Sequence, residues 1–198
     1  MGALLMVTPN SIETPNDGFL NVQALDPSII VDLKYATPNN FTGSRIYDFN
    51  TAIARAGTVR KLTQASHLLK QQGFRLKIWD AYRPVSAQQK LFDVTPDPTW
   101  VAQPDPNFSH QKGVTFDLTL CELDGTEIPM QSGFDDFSEK ATRHYRRKPY
   151  QEHNYRLLDT AMRQAGFVGY ENEWWDYRDT DMDTYGPAQA DPDDYQLS

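Results

Sequence analysis

The chain is short of cysteine, of positive charge and of long apolar runs. Its single cysteine, Cys121, excludes an internal disulfide. Set in an apolar stretch, it reads as a buried thiol suited to a reducing compartment. Nineteen Lys and Arg stand against 27 Asp and Glu, for a formal net charge of −8. That balance argues against nucleic acid and anionic membrane surfaces as partners. No stretch approaches the ~20 apolar residues of a membrane span. The run Ala3-Leu4-Leu5-Met6-Val7 is too short for a signal-peptide core and has no basic residue before it. The expectation is a soluble, cytoplasmic protein. Its 198 residues, 39% hydrophobic and 12% aromatic, suit one domain over 1–198 with a substantial core.

Periodicity and breakers outline the elements. Residues 1–25 carry Pro9, Asn10, Pro15, Asn16 and Gly18 and read as an irregular arm. A strand is predicted over 29–33 and a loop over 37–43. Residues 58–72 read as a helix with Val59, Leu62, Ser66 and Leu69 on one face and Gly73 as its stop. Residues 74–79 alternate apolar and polar, as a half-buried strand does. Pro84 ends it, and Ser86 is placed to cap a short helix through Phe92. Four prolines make 94–107 a long surface loop. Residues 114–120 are a central strand. A turn at Leu123-Asp124-Gly125-Thr126 leads to an edge strand over 127–130, kept at the edge by Pro129. Residues 138–147 and 152–164 read as helices, 167–170 as the start of the last strand, and 179–198 as a solvated acidic tail.

The chemistry concentrates around Ser109-His110-Gln111-Lys112-Gly113, which enters the central strand at Val114. His110 is expected in the loop and Asp117 within the strand, with Gly113 permitting a tight turn between them. An imidazole nitrogen and a carboxylate oxygen aimed at one point are standard zinc ligands. A second stretch, Glu173-Trp174-Trp175-Asp176, offers a third ligand and a separate carboxylate for proton transfer, behind two tryptophans that exclude water. Arg83, at the end of the strand over 74–79, carries a guanidinium that forks toward an oxyanion or carboxylate. His67, His144 and His153 fall on predicted helices. His67 is read as a surface residue, and His144 and His153 as structural residues, with completing a metal site as their alternative role.

Taken together, His110-x-x-Gly113-x-x-x-Asp117, Glu173-Trp174-Trp175 and Asp80-Ala81-Tyr82-Arg83-Pro84 resemble the D-alanyl-D-alanine dipeptidases. These are zinc peptidases of the group that includes lysostaphin-type enzymes and the hedgehog domain. Asp32-Leu33-Lys34-Tyr35-Ala36-Thr37 and Asn40-Phe41-Thr42-Gly43 resemble the same family's N-terminal segment. The resemblance runs from about Asp32 to Asp179. It implies an α+β fold: a small, mostly antiparallel sheet with helices on one face and a metal cleft on the other. It implies hydrolysis of D-alanyl-D-alanine, with zinc (Zn2+) polarising the scissile carbonyl, Glu173 as proton carrier and Arg83 at the oxyanion. Asp135 would hold the substrate ammonium, with Asp136 as the fallback, and Tyr35 and Ser109 would line the substrate site. Two other readings are a cell-wall peptidase acting on longer peptides and a metal-binding module without catalysis.

The chain departs from the family in three places. Phe108 stands where a serine is usual two residues before the first ligand histidine, Thr115 where an alanine is usual, and Asp176 where the family has histidine. Asp176 is nonetheless expected as the third ligand, since its oxygen reaches about as far as the nearer imidazole nitrogen. Two aspartates and a neutral His formally cancel a dication. This predicts a weaker Lewis acid, a more alkaline activity profile than in a two-histidine site and tolerance of manganese (Mn2+) or iron (Fe2+), with zinc still the expected metal.

Overall fold

The structure, a computed structural model, describes residues 18–197. Seven short strands fall into two sheets. The smaller pairs β1 (Phe19–Asn21) with β3 (Ile53–Arg55). The larger has five strands: β2 (Ile30–Val31), β4 (Phe74–Asp80), β5 (Thr115–Glu122), β7 (Asp176–Asp179) and β6 (Phe167–Gly169), in that spatial order. Only the β2–β4 pairing is parallel. The expected α+β architecture with a mostly antiparallel sheet is what the chain adopts.

Side chains of β5 alternate across the sheet. Phe116, Leu118 and Leu120 turn to one face, which is covered by α2 (Ala56–Lys70) and α5 (Pro149–Gln164). Val59, Leu62, Ser66 and Leu69 form the buried stripe of α2, as the 3.6-residue pattern predicts. Leu158, Ala161 and Met162 are buried on α5. Asp117 lies on the opposite face. Two shorter helices, α3 (Val85–Val94) and α4 (Ser109–Lys112), accompany the cleft there, and a one-turn helix, α1 (Val22–Leu25), joins β1 to the core.

Several expectations are corrected. Residues 1–17 of the predicted arm lie outside the described residues. From Gly18 onward the chain is regular, with Phe19 and Val22 fully buried, because β1 pairs with β3 and α1 is capped by the Asn21 side chain. The tail does not simply extend into solvent. Tyr195 packs near Phe19, its carbonyl accepts from Asn21 Nδ2 at 2.9 Å, and Tyr82 bonds Ala188 and Ala190. Asp179 is wholly buried against Thr58 and Lys61. Residues 138–147 make a single 3-10 turn, Glu139–Ala141, rather than a helix. The return strand over 127–130 reduces to one bridge between Cys121 and Glu127. Helix α3 starts at Val85 after Pro84 and takes no cap from Ser86. Cys121 is buried as expected, and burial lifts its thiol to about 11.

Gly113 behaves as the sequence implies. It ends α4 in the left-handed conformation at φ 74°, and a Cβ there would lie 2.4 Å from Phe19 Cε1. Gly113→Ala is therefore strained twice over, by backbone and by clash. It is expected to cost about 1–3 kcal/mol, read as a lowered denaturation midpoint. Unchanged stability would mean that Phe19 and α4 can separate freely.

Candidate functional site

Strand register builds the site. Asp117 on β5 pairs with Asp80 on β4 on one side and with Asp176 on β7 on the other. Paired positions share a face, so three aspartates form a row across the sheet. Strict alternation would send Asp80 to the helix side with Ile78. A bulge at Trp79 breaks the β4 register between Ile78 and Asp80 and turns Asp80 toward the cleft. All three carboxylates are buried.

His110 is in the first turn of α4, not in a loop, and is buried. Its Nδ1 lies 2.8 Å from the Ala81 carbonyl, which assigns a proton to Nδ1 and turns Nε2 toward the carboxylates of the cleft. Nε2 is 3.4 Å from Asp117 Oδ2 and 4.0 Å from Asp176 Oδ2. Donors around a tetrahedral zinc at 2.0–2.2 Å stand roughly 3.4 Å from one another, so the spacing fits with little adjustment. The other oxygen, Asp117 Oδ1, is buried with no hydrogen-bond partner. A lone pair in that position favours a cation. Glu173 lies beside Asp117 and Asp176, their oxygens within 4.8 Å of one another. It sits in the turn before β7, and Asp176 is the strand's first residue.

Arg83 is held on three sides. Nε and Nη2 bond Asp80 Oδ2 at 2.8 and 2.7 Å, Nη1 bonds Gln88 Oε1 at 2.8 Å, and Nη2 lies 3.5 Å from Asp117. Tyr47 donates to Asp80 Oδ1 at 2.7 Å. Tyr35 donates to Asp135 Oδ2 at 2.9 Å, and the Arg83 guanidinium lies 5.2 Å from the Tyr35 ring centre. Asp135 has φ 54°, the one non-glycine residue with positive φ among the described residues. Backbone strain of this kind concentrates at functional sites. Asp136 and Ser109 line the same cleft, which has a volume of about 670 Å3. His67 and His153 are exposed, and His144 is exposed and paired with Glu171. None of the three lines the cleft.

Electrostatics follow from crowding carboxylates in a dry cleft. Burial, then Asp176 and Asp117, push the Glu173 carboxyl up to about 8. Burial pushes Asp135 up to about 7 despite its Tyr35 hydrogen bond. Burial disfavours charge on His110, but the facing Asp117 outweighs it and lifts the imidazole to about 9.

Two arginines were not singled out from sequence. Arg143 is buried and reaches into the turn that carries Glu173. Its Nε bonds the Tyr170 carbonyl at 2.8 Å, and Nη2 bonds those of Trp174 and Asp176 at 3.0 and 2.8 Å. Arg178 grips Asp176, with Nε to Oδ1 at 3.1 Å and Nη2 to Oδ2 at 3.3 Å. Its spacing, two residues on along a strand from an expected ligand, was the available signal. Arg178 changes the charge count. Dication, two aspartates, neutral His and guanidinium sum to +1, the same as a site of one aspartate and two histidines.

Since His110 carries a proton at neutral pH and a cation requires Nε2 bare, zinc uptake should release roughly one proton and tighten as pH rises toward about 9. Calorimetry at pH 7 in buffers of different ionisation heat reads this directly. Zinc binding with no buffer dependence would remove His110 from the ligand set.

A family model described as D-ala-D-ala dipeptidase matches residues 15–191. The chain is similar to the D-alanyl-D-alanine dipeptidase of Escherichia coli, 32% identical over 159 residues, covering 80% of this chain and 82% of that one. It is 32% identical over 202 residues to the D-alanyl-D-alanine dipeptidase of Enterococcus faecalis, covering 85% and 96%. Among solved structures it overlaps the vancomycin resistance D,D-pentapeptidase VanY of a VanB-type cassette, in complex with Zn(II). That overlap has a TM-score of 0.46 and 19% identity over 68% of this chain and 76% of that chain.

Proposed function

Because the chain belongs to the D-alanyl-D-alanine dipeptidase family, we propose that it hydrolyses D-alanyl-D-alanine-type dipeptides at this cleft with zinc held by His110, Asp117 and Asp176. The observation that carries the reading is His110 Nε2 facing Asp117, whose buried Oδ1 has no partner, with Glu173 alongside. Bound there, zinc would supply Lewis acidity for the scissile carbonyl and for water.

The chain's own groups do the rest. Glu173 takes a proton from the attacking water and delivers it to the leaving amine. Its proton affinity, raised by burial and by two neighbouring carboxylates, suits a group that must both accept and give at neutral pH. Arg83, locked by Asp80 and Gln88, presents its remaining N–H groups without reorganising, as an oxyanion donor should. Asp135, backed by the Tyr35 hydroxyl, receives the substrate ammonium and makes a free N-terminus part of recognition. A cleft of about 670 Å3 rimmed by the exposed aromatics Trp100, Phe108 and Phe137 supports a second reading, a peptidase that also admits longer peptides.

The direct test is amine release from D-Ala-D-Ala with and without a chelator. Glu173→Gln should keep zinc and fold but lose about 10²–10⁴ in kcat. A variant retaining more than about a tenth of the wild-type rate takes Glu173 out of that role.

N-acetyl-D-Ala-D-Ala separates the two readings. Blocking the amine removes the charge that Asp135 would meet, so this compound should be a very poor substrate. Cleavage of it, or of a pentapeptide, at a rate comparable with the dipeptide would favour the longer-peptide reading.

A further inference from the structure

A dipeptide carries a charge at each end, and the roles above account only for the ammonium. Four cationic or potentially cationic side chains line the cleft among the described residues: Arg83, His110, Lys112 and Arg178. Arg83 commits three of its nitrogens to Asp80 and Gln88. His110 commits Nδ1 to Ala81 and turns Nε2 to Asp117. Arg178 is differently placed. Its Nε and Nη2 bond Asp176, but Nη1 bonds nothing among the described residues. The guanidinium lies 4.0 Å from the centre of the Tyr170 ring, which holds its plane, and the side chain is 30% exposed. A guanidinium has five N–H donors in a fixed fork, so one can bridge two carboxylates.

Its position in the fold matches the polarity of the substrate. Tyr35 follows β2 at one edge of the sheet and sets Asp135 beyond Arg83 on the β4 side. Arg178 is on β7, toward the opposite edge, paired with Val168 of β6. The row Asp80, Asp117, Asp176 runs between them. In a dipeptide the ammonium and the carboxylate lie on opposite sides of the scissile amide. With the ammonium at Asp135 and the amide over His110 and Asp117, the carboxylate falls at the Arg178 end.

We propose that Arg178 is the subsite for the C-terminal carboxylate of the substrate, as a specificity residue that selects a free C-terminus. Lys112, whose Nζ reaches the Met182 carbonyl just beyond β7, is a second cation at the same end. Asp183 lines this end as well and sets a limit on how much anionic charge it accepts. Asp176 and the substrate carboxylate share one guanidinium. The proposal rests on the dipeptidase reading.

The test pairs an enzyme variant with a substrate variant. Steady-state kinetics are measured for D-Ala-D-Ala and for its C-terminal amide, with wild type, Arg178→Gln and Arg178→Lys. Binding of both compounds is measured calorimetrically on the zinc-loaded Glu173→Gln protein with and without the Arg178→Gln change. Losing a charge-assisted hydrogen bond should raise KM for D-Ala-D-Ala about 10- to 100-fold. It should leave KM for the amide nearly unchanged, while any loss of kcat transmitted through Asp176 should be the same on peptide and amide. Arg178→Lys, which keeps the charge without the fork, should recover part of the loss. An equal rise in KM on peptide and amide, or a loss of zinc alone, would place Arg178 solely behind Asp176 and overturn the proposal. Hydrolysis with KM insensitive to Arg178 would sink the subsite and leave the dipeptidase reading standing. Arg178-dependent binding of the free carboxylate without hydrolysis would do the reverse, and no binding of either compound would remove both.

Discussion

Three carboxylates abreast on one face of a buried sheet are the constraint around which this molecule is arranged. Asp80, Asp117 and Asp176 occupy paired positions on β4, β5 and β7. Aspartates so close in a dry environment repel one another and are costly to keep charged without positive neighbours. The structure supplies a different neighbour to each. Arg83 clamps Asp80, His110 faces Asp117, and Arg178 clamps Asp176. Of the three, only Asp117 retains a buried carboxylate oxygen with no partner among the described residues. The one unmet demand for positive charge thus sits in the middle of the row, where Glu173 also points.

The segment that brings Glu173 and Asp176 to that row depends on a second arginine. Arg143 occupies a stretch whose composition suggests a helix. Its guanidinium instead bonds the carbonyls of Tyr170, Trp174 and Asp176, stacks 4.3 Å from the Tyr177 ring centre, and pairs with Asp159 of α5. Backbone carbonyls in a buried turn must be satisfied, and one fork satisfies three. The turn before β7 is therefore anchored to α5, and Glu173 and Asp176 are fixed to the fold as one piece.

The departures from the family are grouped in space. Asp176 opens β7 opposite Asp117, and Thr115 lies two residues before Asp117 on the same strand. Phe108 stands at the cleft rim, beside the exposed Trp100 and Phe137. One set lies in the row of carboxylates, the other at the rim of the cleft.

The sequence by itself determined the alternating core of β5, the apolar stripe of α2, the left-handed stop at Gly113 and the residue types of the site. Each depends on a local rule: a period of two or 3.6, a backbone conformation glycine tolerates, a motif a few residues long. Only the tertiary structure decided which charges meet. The bulge at Trp79 turns Asp80 into the cleft, against the alternation its neighbours predict. Arg143 cancels a helix that propensity favours, because three distant carbonyls outweigh it. Arg178 raises the charge count drawn from the expected ligands alone, because that count omits a cation two residues away on the same face of a strand. The ends of the described residues pack for the same reason: Phe19, Tyr82 and Tyr195, remote in sequence, bury one another. Long-range pairing of charges and rings is a property of the assembled sheet, and no window of sequence contains it.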